Sequence, residues 1–312
     1  MKYLNPGYAV MFTSCGAVQG TDEAYKSKFD TGVYLDIKDR FIKQKVDAVK
    51  ECWFSYDLYA DRPGSQDGGT RTLNLTLGSL MDANSAEVVS VRADDIVVNY
   101  NGGGVVTPYI MVGSTKVYTA ESSFTIAKST NIELHFRIGD ADGRVDMWVD
   151  NKLFMSYRHP TQFASLSMQY VYLEQTRSEY GLSHAYVSSF IYQDIRRIGM
   201  EKFKMLTIDP ATEQSMPQGS TTNFKVSGLP EDTEYSDITG FGVVLQPTSR
   251  DANITQGTFS LNGATIGTVD VSSSSGGDFV QAYNTSNTLT GKVFTRDDIE
   301  GKTLSLTVNG AS

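Results

Sequence analysis

The sequence predicts an all-β fold: a sandwich or jelly roll, followed by a second, smaller β domain. Three observations support this. Short segments of alternating apolar and polar residues recur along the whole chain. Clusters of Gly, Asn, Asp and Ser separate them, as is typical of the turns between strands. The length of 312 residues suits two domains or one large β domain.

Residues 132–158 form the most regular passage of the sequence. Every second residue from Ile132 to Ile138 is apolar, which predicts a half-buried strand because side chains in a strand alternate between its two faces. Two more alternating segments follow, separated by an Asp-Gly turn signal and by the pair Asp150-Asn151. The passage therefore predicts a three-stranded antiparallel meander.

Other segments before residue 200 alternate in the same way and are predicted strands. They span residues 32–38, 52–59, 71–77, 87–93, 95–100, 105–112, 116–119, 168–174 and 185–192. The segment 39–51 differs, because Ile42, Val46 and Val49 have the spacing of a helix face. We predict a short helix there, with a solvated face that carries the lysines. Those lysines are Lys43, Lys45 and Lys50.

The composition of the chain changes near residue 208. Residues 208–222 contain two prolines and few apolar residues, which is typical of a linker. We therefore predict a first domain at 1–207, a linker at 208–222 and a small β-sandwich domain at 223–312.

Alternating segments continue beyond the linker and predict the strands of the second domain. They span residues 223–229, 240–246, 257–263, 265–272, 279–284, 292–295 and 303–310. The pair Asn262-Gly263 favours a hairpin bend, because both residues tolerate a positive φ. The acidic segments 231–234 and 297–300 are predicted to be solvated loops.

Composition argues against several classes of function. A net charge of −9 argues against a nucleic-acid partner, because phosphate binding needs clustered Lys and Arg. No stretch approaches the roughly 20 apolar residues of a membrane span, so no membrane partner is predicted. We also expect no signal peptide. Cys15 and Cys52 do not form a disulfide framework and are predicted to be buried free thiols, compatible with a reducing cytosol.

No motif in the sequence predicts a catalytic or metal site. His135, His159 and His184 stand outside zinc-ligand spacings, and no G-x-S-x-G element marks a nucleophilic serine. A Ser-His-Asp arrangement that forms only in space stays open. The E-x-D-x-E pattern of sandwich-fold glycosidases does not occur in the sequence. The turn 140–143 begins like a calcium-binding loop but lacks the later ligands of one. The glycine-rich segment 101–104 is not followed by the helix that a phosphate site needs.

From these negative results we predict no catalytic, cofactor-binding or metal-ligating residues, no cofactor and no enzymatic activity. His135 lies on the polar side of its predicted strand and is expected to face solvent.

The passage 132–158 resembles the late strands of concanavalin A-like (laminin G-like) jelly-roll domains, where a D/N-G turn and a V-x-h-W/Y-V-D/N-G strand recur in this order. Asn151-Lys152 stands where that family often has a glycine. Residues 182–210 resemble the end of such domains in virion proteins of tailed bacteriophages, where an acidic, arginine-bearing turn leads to a second β domain. In this sequence the turn comprises Asp194, Arg196, Arg197, Gly199 and Met200.

The resemblance covers about residues 29–209. It implies a concanavalin A-like jelly roll in a non-enzymatic structural or accessory protein of a tailed-phage virion, located in the tail, at the neck or on the capsid. The implied partners are other virion proteins and copies of the chain itself, and the implied location is the virion, assembled in the host cytoplasm. The calcium and sugar ligands of legume-type lectins do not map onto this sequence.

The alternative hypothesis is a carbohydrate-binding adhesion module that recognises host-surface glycans, because concave sandwich faces bind sugars on aromatic rings. A groove lined by exposed aromatic rings would favour this binding function. Paired carboxylates in a groove would favour catalysis instead, and exposed apolar patches in contact with other chains would favour a structural role.

Overall fold

The computed structural model describes residues 2–5, 8–19, 32–35, 38–61, 71–98, 103–126, 129–139, 142–158, 168–178, 184–199, 201, 204–231, 237–249, 251–272 and 280–310. Contacts divide the chain into two compact units, Met1–Lys202 and Phe203–Ser312. Antiparallel strands build both units, which confirms the predicted all-β class. No helix within the ranges given above is both long and apolar enough to cross a membrane.

The described residues of the first unit form seventeen strands and one short 3₁₀ turn at Ala9–Met11. The strands are β1 (Lys2–Asn5), β2 (Ser14–Cys15), β3 (Val18–Gln19), β4 (Val33–Leu35), β5 (Arg40–Val49), β6 (Glu51–Asp61), β7 (Arg71–Met81), β8 (Glu87–Val98), β9 (Gly104–Val106), β10 (Tyr109–Val112), β11 (Thr115–Thr119), β12 (Phe124–Ile126), β13 (Thr130–Arg137), β14 (Arg144–Val149), β15 (Lys152–Arg158), β16 (Met168–Ser178) and β17 (His184–Gln193).

Eight of these strands form sheet I, in the order β15-β14-β13-β6-β17-β4-β3, with β1 paired to β17. The meander predicted at 132–158 is confirmed as β13, β14 and β15 at one edge of this sheet. Asp150 and Asn151 have φ values of 47° and 66° and make the tight turn between β14 and β15.

The other nine strands form sheet II, in the order β11-β10-β8-β7-β16-β5-β2, with β9 paired to both β8 and β12. The segments 87–93 and 95–100, predicted as two strands, belong largely to the single strand β8. Asp95 within β8 has a φ of 52°, and the register with β7 shifts nearby. The break in alternation that suggested two strands is therefore an irregularity inside one.

The two sheets pack face to face around one hydrophobic core. At Gly78 on β7 the sheets approach too closely for a side chain, because an added Cβ would lie 2.5 Å from Leu134 Cδ1 and Phe54 Cζ of sheet I. The first unit is thus a jelly-roll type of β-sandwich. Both cysteines are free thiols, as predicted, but only Cys52 is buried while Cys15 is half-buried.

The helix predicted at 39–51 is wrong: most of that segment is strand β5, which pairs with β16 and β2. Ile42, Gln44 and Val46 are buried with a period of two, as in any half-buried strand. Lys43 and Lys45 consequently lie on the outer face of sheet II rather than on a helix.

In the part of the second unit that the structure describes there are nine strands and a four-residue helix, α1 (Arg296–Ile299). The strands are β18 (Thr207–Asp209), β19 (Thr221–Ser227), β20 (Phe241–Leu245), β21 (Ile254–Leu261), β22 (Ala264–Asp270), β23 (Val280–Asn284), β24 (Ser286–Asn287), β25 (Lys292–Val293) and β26 (Thr303–Gly310). Five of them form a sheet in the order β18-β19-β26-β21-β22, and two pairs stand apart from it, β20-β23 and β24-β25.

Two details of the second unit correct the sequence predictions. The predicted linker, 208–222, begins inside β18 and ends inside β19, which pair with each other. The acidic segment 297–300 is largely helix α1, whose Ile299 is buried in the core of this unit. The predicted hairpin is confirmed, since Asn262 and Gly263 have φ values of 48° and 87° between β21 and β22.

Candidate functional site

The outer face of sheet II carries a run of aromatic and basic side chains. Val171 and Leu173 of β16 point into the core, so Tyr170, Tyr172 and Glu174 project outward. On the neighbouring strand β5, Phe41, Lys43 and Lys45 project to the same side. The register places Tyr172 opposite Lys43 and Tyr170 opposite Lys45.

These side chains line a depression that we name the aromatic groove, with a volume of about 420 Å³. Its lining residues are Thr13, Ser14, Phe41, Lys43, Met81, Ser85, Tyr170 and Tyr172. The Phe41 and Tyr172 rings are nearly parallel, with centroids 5.6 Å apart and an interplanar angle of 22°. All three aromatic rings of the groove are half-buried, so each keeps part of its surface accessible. Small-molecule sites commonly combine such apolar walls with a few polar groups.

Lys43 is held in place at the groove by two contacts. Its Nζ donates to Ser85 Oγ at 2.6 Å and lies 4.2 Å from the centroid of the Tyr170 ring. Ser85 belongs to a tight turn in which Asp82 Oδ1 accepts hydrogen bonds from the backbone N–H groups of Asn84 and Ala86, at 2.8 and 2.9 Å. The turn therefore presents the Ser85 hydroxyl to Lys43.

Tyr172 and Glu174 are neighbours on the same face of β16. Burial is the main cause that raises the pKa of Glu174, and the neighbouring Tyr172 hydroxyl only partly offsets it. Burial and the neighbouring charge of Glu174 raise the pKa of Tyr172. Tyr172 is therefore a phenol, not a phenolate, at neutral pH.

The outer face of sheet I holds a second polar cluster, centred on His135. His135 is only 5% exposed, so the prediction that it faces solvent is wrong. Its Nδ1 lies 2.9 Å from Asp146 Oδ2 and its Nε2 lies 2.9 Å from Glu51 Oε1. The Trp53 ring stacks on the imidazole, with centroids 4.4 Å apart. The neighbours on β6 and β14 cover the ring, which the pattern of one strand does not reveal.

The His135 cluster contains a serine, a histidine and an aspartate, but their order is not that of a nucleophilic triad. In a triad the serine contacts the histidine nitrogen remote from the aspartate. Here Ser156 Oγ donates to Asp146 Oδ1 at 2.6 Å, and the remote nitrogen faces Glu51. The arrangement therefore leaves the serine without a general base. Across the described ranges, no group of three or more His, Cys, Asp or Glu side chains is arranged to hold a metal ion.

The arginine-bearing turn at the end of the first unit packs over the same face of sheet I. Glu133, 1% exposed, accepts hydrogen bonds from Ile198 N at 2.7 Å, Arg197 Nε at 3.1 Å and Gly199 N at 3.2 Å. The Arg197 guanidinium lies 4.5 Å from the centroid of the Trp148 ring. Arg197 and Gly199 belong to the turn that carries the sequence resemblance. These contacts show that both residues have a structural role.

No site residue was predicted from the sequence, and the groove residues were missed. The alternation of Tyr170 and Tyr172 with Val171 and Leu173 was a usable signal, since it places two tyrosines on one face. His184 begins β17 as expected, with its ring 5.7 Å from Tyr34.

Several motifs weighed in the sequence lie at least partly outside the described residues. They are His159, residues 101–102 of the glycine-rich segment, residues 140–141 of the acidic turn and residues 232–234 of the first acidic loop.

No protein-family model matches the chain, and no curated protein matches it. Among solved structures, it is similar to alginate lyase Aly36B, at 12% identity and a TM-score of 0.39, over 63% of this chain and 98% of that one. It is also similar to the Emp47p carbohydrate recognition domain, at 12% identity and a TM-score of 0.37, over 62% and 95%. A third similar structure is the endo-β-1,4-glucuronan lyase of the fungus Trichoderma reesei, at 6% identity and a TM-score of 0.39, over 61% and 94%.

The two packed sheets of the first unit define its fold class, a jelly-roll β-sandwich. The solved structures similar to it include carbohydrate recognition domains as well as lyases. At these identities and TM-scores, the similarity carries no argument about function.

Proposed function

We propose that the first unit is a carbohydrate-binding module and that it binds glycan in the aromatic groove. The observation that carries the proposal is the grouping of Phe41, Tyr170 and Tyr172 beside Lys43 on one sheet face. Aromatic rings give large contact area to the apolar faces of sugar rings, and Tyr adds a hydroxyl at its edge. Hydroxyl and ammonium groups beside the rings then hydrogen-bond the sugar hydroxyls.

Three properties of the groove support this function over that of an ordinary surface depression. Its volume of about 420 Å³ lies within the range of small-ligand sites. Its walls come from β2 and the residue before it, from β5, β16 and β7, and from the turn after β7, so regular strands hold most of its side chains. Lys43 is fixed by Ser85 and Tyr170, which lowers the entropy lost on binding.

The first test measures glycan binding by the full chain on an array that includes neutral β-glucan and hexuronate oligosaccharides, followed by titration calorimetry of the ligands found. We expect Tyr172→Ala to weaken the affinity at least about tenfold, because a central aromatic ring contributes about 2 kcal/mol or more to a typical interface and about 1.4 kcal/mol is already tenfold. Absence of binding by the unmodified chain, or full affinity in Tyr172→Ala, contradicts the proposal.

Tyr118→Ala is the matched control for that variant. Tyr118 is also half-buried and packs against Tyr157, with ring centroids 5.5 Å apart, but it lies on β11 at the opposite edge of sheet II. Its removal should leave the affinity unchanged.

The absence of enzymatic activity remains a prediction. If it holds, incubation with every bound glycan releases no new reducing ends and no unsaturated product. Release of either product at a rate proportional to protein concentration, and lost in Tyr172→Ala, would instead assign the pair Tyr172–Glu174 to catalysis.

The virion assignment also remains a prediction. Its support is the sequence resemblance at 132–158 and 182–210, and its proposed partners are other virion proteins and further copies of the chain. A virion component that binds host-surface glycans through the aromatic groove would combine both functions. Mass spectrometry of purified particles tests it, and absence of the chain from them would count against it.

A further inference from the structure

The charges at the aromatic groove are unevenly distributed. Lys43 is the one charged residue among those that line it. Lys45 projects from the same face of β5 and is exposed. Within the described residues, neither lysine has a carboxylate partner, although the whole chain carries a net charge of −9.

Some of the acidic groups close to the groove are engaged elsewhere. Glu87 on β8 accepts from Arg92 Nη2 at 2.6 Å and from Ser90 Oγ at 2.9 Å. Glu174 lies beside Tyr172 on β16, and Asp39, whose charge contributes to the raised pKa of Tyr172, is exposed. Asp47, which follows Lys45 on the outer face of β5, is exposed. Lys43 therefore presents a positive charge that these acids leave without an ion-pair partner.

The hydrogen-bonding capacity of Lys43 is also incompletely used. An ammonium group has three N–H donors, and one of them bonds Ser85 Oγ at 2.6 Å. The Tyr170 ring lies against the Nζ from one side. Donors thus remain for a ligand, beside rings on which a sugar can stack.

We infer that the ligand of the aromatic groove is an acidic glycan, whose anionic group accepts hydrogen bonds from Lys43 Nζ while its ring stacks on Tyr172. This inference rests on the proposed glycan binding and adds the charge of the ligand. A carboxylate of a hexuronate or a sulfate ester both supply the required oxygens, since charge-assisted bonds to an ammonium form with either.

The test is titration calorimetry of the full chain with three probes: a hexuronate oligosaccharide, the same oligosaccharide with its carboxyl groups reduced to alcohols, and a sulfated neutral oligosaccharide. We expect at least one anionic probe to bind about tenfold or more tightly than the reduced probe, and added salt to weaken that binding. A preference for the hexuronate or for the sulfated probe identifies which anion is recognised.

Lys43→Met removes the charge and keeps an unbranched side chain that is only one atom shorter. We expect it to reduce the preference for the anionic over the reduced probe about tenfold, because both probes lose a hydrogen-bond donor but only the anionic probe loses a charge-assisted bond. Lys116→Met is the matched control, because Lys116 Nζ also lies over a tyrosine, 3.9 Å from the Tyr109 centroid, but outside the groove.

The outcomes separate the two proposals. Equal affinity for the anionic and the reduced probes, or an unchanged preference in Lys43→Met, overturns the inference and leaves the carbohydrate-binding function standing. Binding of none of the three probes, together with no binding on the glycan array, overturns both.

Discussion

Asp146→Ala is expected to destabilise the first unit by about 3–5 kcal/mol, the cost of removing one partner from a buried ion pair. Asp146 is fully buried and accepts from His135 Nδ1 and Ser156 Oγ, and Arg144 pairs with the same carboxylate. Without Asp146, His135 stays buried with one ring nitrogen unpaired. Urea unfolding followed by tryptophan fluorescence measures this loss in the first unit alone, because Trp53 and Trp148 are the two tryptophans of the chain.

The pH dependence of that variant follows from the pKa of Asp146. Burial alone would raise this pKa, but hydrogen bonds from His135 and Ser156 and the charge of Arg144 together lower it below the ordinary value. A carboxyl with a lowered folded-state pKa contributes stability above its unfolded pKa of about 3.9, and that contribution is lost as the pH falls through the folded value. The penalty of Asp146→Ala should therefore be full at neutral pH and shrink below about pH 4.

Asp142→Ala is the control for Asp146→Ala. Asp142 pairs with Arg137 on the surface, where its side chain is 55% exposed, so its removal should cost no more than about 1 kcal/mol. Equal penalties for the two substitutions would contradict the buried network described for sheet I.

The sequence was sufficient to predict the strands of the meander but not the surroundings of His135. The alternation of residues within β13 correctly placed His135 on the polar face of that strand. Its burial depends on Trp53 and Glu51, which come from β6, a strand far away in the sequence. Local alternation reports which face a side chain takes and not what packs over that face.

The failed prediction for β5 has a local physical cause. Ile42 and Val46 are four residues apart, an interval that fits both a helix face and one face of a strand. Gln44 occupies the buried strand position between them and is 7% exposed, with its Nε2 donating to the Lys45 carbonyl at 2.7 Å. Because Gln44 is polar, the alternation of apolar and polar residues along β5 is interrupted in the sequence. The spacing from Val46 to Val49, which fits a helix, therefore dominated the prediction.

The aromatic groove was half predictable from the sequence. Tyr170 and Tyr172 are two residues apart, so the alternation within a single strand places both on the same face. Phe41 and Lys43 join them only because β5 pairs with β16 in one particular register, Tyr172 opposite Lys43. Pairing between distant strands depends on the packing of whole sheets, so the site could not be assembled from local pattern alone.

Glu133→Gln is expected to destabilise the first unit by about 1–3 kcal/mol at neutral pH, because the N–H groups packed against Glu133 lose one of their two acceptor oxygens. Glu133 accepts from the backbone of Ile198 and Gly199 and from Arg197 Nε, and it is nearly inaccessible to solvent. A glutamine amide offers one oxygen in place of two and turns its NH₂ group toward those donors. Glu121→Gln, at an exposed position, should change the unfolding free energy by less than about 0.5 kcal/mol.

The pH dependence of Glu133→Gln should have the opposite sign to that of Asp146→Ala. Burial raises the pKa of Glu133 above its ordinary value, and the hydrogen bonds from Ile198 and Arg197 only reduce the rise. A carboxyl with a raised folded-state pKa contributes stability that is complete below its unfolded pKa of about 4.3 and is lost as the pH rises through the folded value. The penalty of Glu133→Gln should therefore grow as the pH falls from about 7 to about 4.

Asp146 and Glu133 lie on the same face of sheet I, so the pH dependence of one substitution can be compared directly with that of the other. Urea titrations of both variants from about pH 7 to about pH 3, referred to the unmodified chain, measure the slope for Glu133→Gln above about pH 4 and the slope for Asp146→Ala below it. The difference between the slopes has one physical origin. Asp146 is stabilised as an anion by His135, Ser156 and Arg144, whereas burial dominates at Glu133. Slopes of the same sign would show that at least one of the two carboxyl groups is not in the environment described.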